Sequence, residues 1–158
     1  MADTRWLSAA EQRAWRGYLD LHTQLNARLN RQLQTDSDLS LADFSVLVAL
    51  TDRPDARVRY AELARSLQWE KSRLSHHIAR MVKRGLVDRE ECPQDARGAF
   101  VVLTGAGRSA IERAAPAHVT TVRELFLDHL TAEQLDTLRA ISEQVLARLD
   151  DGDQSART

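Results

Sequence analysis

The sequence has one cysteine, Cys92, so no internal disulfide can staple the chain. Three prolines, six glycines and an aromatic content of 5% disfavour the Gly-punctuated, aromatic-rich strands of a sandwich or barrel, and a mostly helical fold is expected. No apolar run approaches the roughly 18 residues of a membrane helix. The opening Met1-Ala2-Asp3-Thr4-Arg5-Trp6-Leu7 lacks the basic start and apolar stretch of a signal peptide. These absences point to a soluble cytoplasmic protein with no membrane partner. Charge of one sign is missing too: 22 Lys and Arg against 23 Asp and Glu leave a net charge of -1, so overall charge indicates neither a nucleic-acid binder nor an acidic tail. What is present is a folded core, with 43% of the 158 residues hydrophobic against 28% charged, about one ordinary domain.

Ser8 and Glu11 form a capping-box pair, and after them Trp15, Leu19, His22, Leu25, Leu29 and Leu33 recur at helical steps, predicting a helix from Ser8 to Gln34. An apolar stripe that long in a chain this size suggests burial on a second subunit. Ser40 and Asp43 repeat the capping pattern before a short second helix, which Asp52-Arg53-Pro54-Asp55 ends. Two helices are expected between Tyr60 and Gly85, closed by that glycine. Leu86–Glu90 and Ala99–Leu103 then read as strands of a hairpin around the polar Cys92-Pro93-Gln94-Asp95-Ala96-Arg97-Gly98. Thr104 should cap a helix running toward His129, bent or broken near Pro116. Thr131 and Gln134 should cap a final amphipathic helix to Leu149, followed by a frayed polar tail over 150–158.

Divided at these boundaries, the charge becomes informative. Residues 1–52 carry a net -2, residues 53–97 a net +4 and residues 98–158 a net -3. Within the basic segment, Lys71, Arg73, Arg80, Lys83 and Arg84 lie in a stretch without any acidic residue, with His76 and His77 among them. Five cations on a helix are by themselves an ordinary solvated face. The apolar positions around them are more specific: Leu63 and Leu67 line one helix, Leu74, Ile78 and Val82 the next, and Ala64 permits close approach. This is a helix-turn-helix pattern. Burying its apolar side leaves Lys71, Ser72, Arg73, Ser75, His76, and with them His77 and Arg80, on the faces that enter a major groove. Arg73 has the fork to meet a guanine edge, while Ser72 and Ser75 suit bases or phosphates.

The helix pair joined to a hairpin, with Gly85-Leu86-Val87-Asp88-Arg89, Asp95-Ala96-Arg97 and Val102-Leu103-Thr104-Gly105-Ala106-Gly107-Arg108, resembles the MarR family of bacterial transcription regulators over nearly the whole chain. The resemblance implies a mainly α fold with a small β-hairpin wing, in which a winged helix-turn-helix over 57–103 sits inside an all-helical dimerisation frame of 8–34 and 104–149, all in one domain over 1–158. It implies a homodimer, a recognition helix in each major groove and a wing arginine in the adjacent minor groove. By position, Ser72, Arg73, Ser75 and His76 look like base-reading residues and Arg97 like the wing residue, with Asp95 and Arg89 bracing it. Two positions depart from the family pattern: His76 stands where many members have Arg, and Glu70 where a small N-cap residue is usual.

Trp15, Tyr18, His22, Phe44 and Trp69 are candidates for a small-molecule effector pocket in that resemblance, against the plainer reading that they are core. Cys92 sits beside two glutamates, which discourage a thiolate, and the family's oxidant sensors carry their cysteine in the first helix, where this chain has none. His22, His118 and His129 lack the partners of a metal site, and neither a catalytic triad nor a phosphate loop is present, so no metal, cofactor or enzymatic activity is expected. The leading expectation is a ligand-responsive repressor acting on double-stranded DNA. A winged-helix protein-interaction module is the alternative, and Arg97 together with the cations of 71–84 favours DNA.

Overall fold

The computed structural model describes residues 4–94 and 98–155. In chain order the elements are α1 (Ala9–Ser37), α2 (Leu41–Thr51), β1 (Arg57–Arg59), α3 (Tyr60–Leu67), α4 (Lys71–Lys83), β2 (Val87–Glu91), β3 (Ala99–Leu103), α5 (Gly105–Leu125), a 3-10 turn (Leu127–His129) and α6 (Ala132–Ser155). They divide into two units, Met1–Val119 and Thr120–Thr158. No helix of the described residues is long and apolar enough to cross a membrane.

Three helices start where side chains satisfy the otherwise unpaired first-turn amides. Ser8 Oγ accepts from the Glu11 amide and the Glu11 carboxylate accepts from the Ser8 amide. Ser40 with Asp43, and Thr131 with Gln134, repeat the exchange. α1 runs to Ser37, three residues past the expected Gln34, because the stop comes only at Asp38, whose left-handed φ of 55° closes the last turn.

The core of the first unit is made by Leu33 of α1, Val46, Leu47 and Leu50 of α2, Leu63 of α3, Leu74, Ile78 and Met81 of α4, and Val87 and Val101 of the sheet. Each such side chain contributes about 1.5–3 kcal/mol on full burial. Met81, not Val82, completes the inner face of α4, and Val82 is exposed. Both lie within helical reach of Ile78, and the larger, more flexible thioether is the one that joins the hydrophobic core.

The hairpin forms with β2 and β3 antiparallel, Val87 opposite Leu103 and Glu91 opposite Ala99. The chain adds a third strand that the sequence reading missed: β1 pairs antiparallel with β3, Val58 opposite Val101, giving the order β1-β3-β2. Three residues, Arg-Val-Arg, are too few to show a period. Val58, Val87 and Val101 turn inward onto the helices, while Arg57 and Arg59 lie over the ring of Phe100 on the other face.

One junction fixes the sheet to the helices on both sides of it. Gly85, at φ 73°, ends α4 with its own amide donating to Val82 O and the Leu86 amide donating to Met81 O. Thr104 Oγ1 donates to the carbonyls of Gly85 and Leu86 and accepts from the Gly107 amide, so one hydroxyl closes α4 and opens α5. A Cβ on Gly107 would stand 2.0 Å from Leu86 O, so the Leu-Thr-x-x-Gly run is dictated by a close backbone approach.

One further expectation is corrected in part. Of the bend or break expected near Pro116, the break does not occur: α5 runs through Pro116, and the interruption comes at Phe126, before the 3-10 turn. Proline removes one helical donor, and here the remaining ladder carries the helix across it. α6 continues to Ser155, so part of the expected polar tail is helical, and residues 156–158 lie outside the described residues. In the second unit, Arg123 Nη2 pairs with Asp128 Oδ1 at 2.6 Å and His129 Nε2 lies 2.8 Å from Glu124 O, which pins the turn. Along α6, Leu138, Ile141, Val145, Leu146 and Leu149 are all exposed.

Candidate nucleic-acid interface

The turn between α3 and α4 is three residues long. Gln68 takes a left-handed φ of 54°, its amide donating to Arg65 O while the Trp69 amide donates to Ala64 O, and Glu70 is already extended as the N-cap of α4. Glu70 makes no side-chain cap, so the first-turn amides of α4 are not occupied by it. A carboxylate at that point faces the positive end of the helix dipole and would also face an incoming phosphate.

α4 is two-sided. Leu74, His77, Ile78 and Met81 are buried, and Lys71, Ser72, Arg73, Ser75, His76 and Arg80 are exposed along the opposite side. His77 is a correction to the sequence reading, which placed it with the outward residues. Its Nε2 lies 2.9 Å from Asp43 Oδ1, in a contact bent away from the ideal hydrogen-bond direction, and its Nδ1 lies 3.0 Å from Arg80 Nη2. A guanidinium only donates, so Nδ1 accepts and the Nε2 proton faces the carboxylate. His77 thus ties α4 to α2.

Arg84 completes the tie. Its Nη1 donates to Asp43 Oδ2 at 2.8 Å, and it also donates to the Asp38 carbonyl. Burial opposes ionisation of Asp43, but the His77 contact, the Ser40 amide and the Arg84 guanidinium together outweigh it and hold the carboxyl well below the usual range. Asp43 and Arg84 were not singled out as a pair from sequence, although Asp43 was visible as a capping residue. Their separation of 41 positions left no local signal.

Arg73 lies with its guanidinium 4.4 Å from the centroid of the Trp69 ring, and Trp69 meets His77 edge-on at 5.2 Å. Of the other proposed pocket residues, Trp15 stacks on Tyr18 along α1 with His22 tilted against Tyr18, and Phe44 packs on His118 at 4.4 Å. Phe44 and Trp69 both pack against the main hydrophobic core, while Trp15 and Tyr18 are exposed.

Beside the N-terminus of α4 a groove of about 220 Å³ is lined by Tyr60, Ala61, Lys71, Leu74, Ser75, Arg89 and Ala99. Arg89 stands 5.4 Å from the Tyr60 ring centroid, with its Nε 3.1 Å from Glu91 Oε1. Burial pushes the Tyr60 phenol above its ordinary value, which keeps it a donor. Cys92, at the end of β2, is buried, and its amide donates to Gly98 O at 3.0 Å. Asp95 and Arg97 lie outside the described residues.

Residues 37–98 match the model of the MarR family. Over 126 residues the chain is 32% identical to the transcriptional regulator HosA of Escherichia coli O111:H-, covering 80% of this chain and 89% of that one. The structure is similar to that of Sco3205, a MarR family transcriptional regulator from Streptomyces coelicolor crystallised in complex with DNA, with 43% identity, 90% of each chain covered and a TM-score of 0.87. It is similar to that of AbsC, a MarR family transcriptional regulator from the same organism, with 39% identity, 94% of this chain and 99% of that one covered, and a TM-score of 0.88.

Proposed function

The chain belongs to the MarR family, and from that membership we propose a homodimeric repressor that binds a pseudo-palindromic site in double-stranded DNA and leaves it when a small molecule alters the spacing of its recognition helices. The observation that carries the DNA-binding reading is α4 itself. A helix with Leu74, Ile78 and Met81 locked into the core presents Lys71, Arg73, His76 and Arg80 to solvent on a turn of the length that major-groove helices use. Sco3205, similar over 90% of both chains, was crystallised with DNA.

The homodimer rests on exposed apolar surface. Trp15, Tyr18, Leu19 and Leu21 of α1 are exposed, and so is the Leu138–Leu149 stripe of α6. Patches of this extent are unusual on a monomer. A two-fold dimer places two recognition helices about one DNA turn apart, roughly 34–36 Å, and so demands a symmetric operator. In this reading Ser72, Arg73, Ser75 and His76 read base edges, Lys71 contacts phosphate, Arg97 enters the minor groove with Asp95 and Arg89 behind it, and the protein works in the cytoplasm without catalysing a reaction. The effector pocket of this reading draws on Trp15, Tyr18 and His22 of α1 and on Phe44 and Trp69, the last two packed against one hydrophobic core. Selecting duplexes from a random library tests the whole: two inverted half-sites about 10 base pairs apart support it, and recovery of unrelated sequences from a protein that sediments as a monomer overturns it.

A further inference from the structure

Arg73 is an exposed side chain with several free torsions, yet it is not loose. Its guanidinium is held 4.4 Å above the Trp69 indole, the aromatic face that attracts a cation most strongly. Trp69 is in turn held from two sides. Its backbone amide donates to Ala64 O at 2.9 Å, which fixes it to the end of α3, and its ring meets the edge of His77 at an interplanar angle of 79°. His77 is buried between Asp43 and Arg80. A continuous set of contacts therefore runs from a carboxylate on α2 to a guanidinium on the first turn of the recognition helix.

We infer that Trp69 is a specificity-determining positioning residue for DNA recognition: its indole face, seated on His77, holds the Arg73 guanidinium in the orientation from which it meets one base edge. The inference rests on the DNA-binding reading above. Its physical content is entropic and directional. An unrestrained arginine loses rotamer freedom when it forks to a base, and a guanidinium already lying flat on a ring has lost most of it beforehand. The stack leaves the in-plane N–H donors free, because attraction to the ring uses the face of the guanidinium and base recognition uses its rim. Loss of the platform should weaken discrimination at the base pair Arg73 reads and leave phosphate contacts unchanged.

The test is a double-mutant cycle on the full-length protein. Its sites are the selected operator and a set of operators each changed at one base pair symmetrically in both half-sites. Arg73→Ala first identifies the base pair whose discrimination it abolishes. Trp69→Leu, which keeps apolar bulk without a ring, is expected to lower discrimination at that same base pair by about two- to fivefold per half-site, the size of an exposed cation–ring contact. Discrimination elsewhere should stay within twofold. Trp69→Phe should recover at least half of the loss, and in the Arg73→Ala background Trp69→Leu should add nothing. A loss spread equally over all base pairs, a loss that persists without Arg73, or tighter discrimination in Trp69→Leu overturns the inference. Thermal melts of both Trp69 variants separate these outcomes from misfolding, with Trp69→Phe carrying the test if Trp69→Leu melts early. Failure of the wild-type protein to select any symmetric site would instead sink the DNA-binding reading itself.

Discussion

Asp43 is 4% exposed, and three donors converge on its carboxylate: the Ser40 amide at 2.9 Å, Arg84 Nη1 at 2.8 Å and His77 Nε2 at 2.9 Å. Replacing it by asparagine keeps the shape and removes the charge. The amide has one acceptor oxygen, so either Arg84 or His77 must face its NH2 group, donor against donor. Breaking one side of a buried ion pair costs about 3–5 kcal/mol, and one hydrogen bond to a charged group is worth about 1.5–3 kcal/mol. Arg84 is 38% exposed and can turn to water, which brings the expected loss for Asp43→Asn to about 2–3 kcal/mol. In a chain of this length that lowers Tm by roughly 4–12 °C.

The pH dependence gives a second, independent check. The Asp43 carboxyl is depressed below its unfolded value of 3.8, so its stabilisation is complete above about pH 5 and is lost as the pH falls through 3.8 toward the folded value. The asparagine variant has no such loss. Denaturation in urea at fixed protomer concentration should therefore show a gap between the two proteins that is largest near neutrality and narrows between pH 5 and pH 3. Equal midpoints at pH 7, or a gap that stays constant to pH 3, would refute the account of Asp43 as the charged centre of this contact.

Gly107→Ala should destabilise by about 1–3 kcal/mol in thermal or urea melts despite alanine's better helix propensity, because the new Cβ meets the Leu86 carbonyl. Thr104→Val, which keeps the shape and removes the hydroxyl that serves three backbone groups, should cost about 1–2 kcal/mol in the same assay. Burial lowers the His118 imidazole below 6.5, so the folded protein should lose stability as the pH falls from about 6.5 through that lowered value, and His118→Phe should flatten this part of the profile. Lys83→Ala should weaken all DNA sequences alike, whereas Arg84→Ala should first lower Tm, since Arg84 is engaged with Asp43 and Asp38.

Helix starts were legible because capping boxes are local: Ser8 with Glu11, Ser40 with Asp43 and Thr131 with Gln134 sit three residues apart, and each exchange forms. The apolar face of α4 was legible except at its last turn, where Met81 and Val82 compete for one place on the helix wheel and only the tertiary packing decides. His77 was misplaced for a different reason. A polar residue among cations reads as exposed, and the carboxylate that makes it a buried residue is 34 positions away in sequence. β1 and the Arg84 contact share that cause, being defined by a partner and not by a pattern of their own. The interruption before the 3-10 turn fell at Phe126, because proline marks a lost hydrogen bond without fixing where a helix yields.

The pairing of β1 with β3 brings the amide of Leu103 to 2.9 Å from the carbonyl of Ala56, so the two ends of the recognition segment meet at one point. A segment whose ends meet is a cassette: it can be exchanged between relatives by cutting at 56 and 103 without altering the distance the rest of the chain must span. Asp43 lies outside that cut and His77 inside it. A transplanted cassette that brings a different residue to position 77 would leave the Asp43 carboxylate with Ser40 and Arg84 but one partner short, and one moved into a host without an acid at position 43 would leave both His77 and Arg84 facing a site with no charge to meet them. An exchange of DNA specificity in this chain keeps the contact whole when 43, 77 and 84 travel together, with the graft beginning ahead of α2.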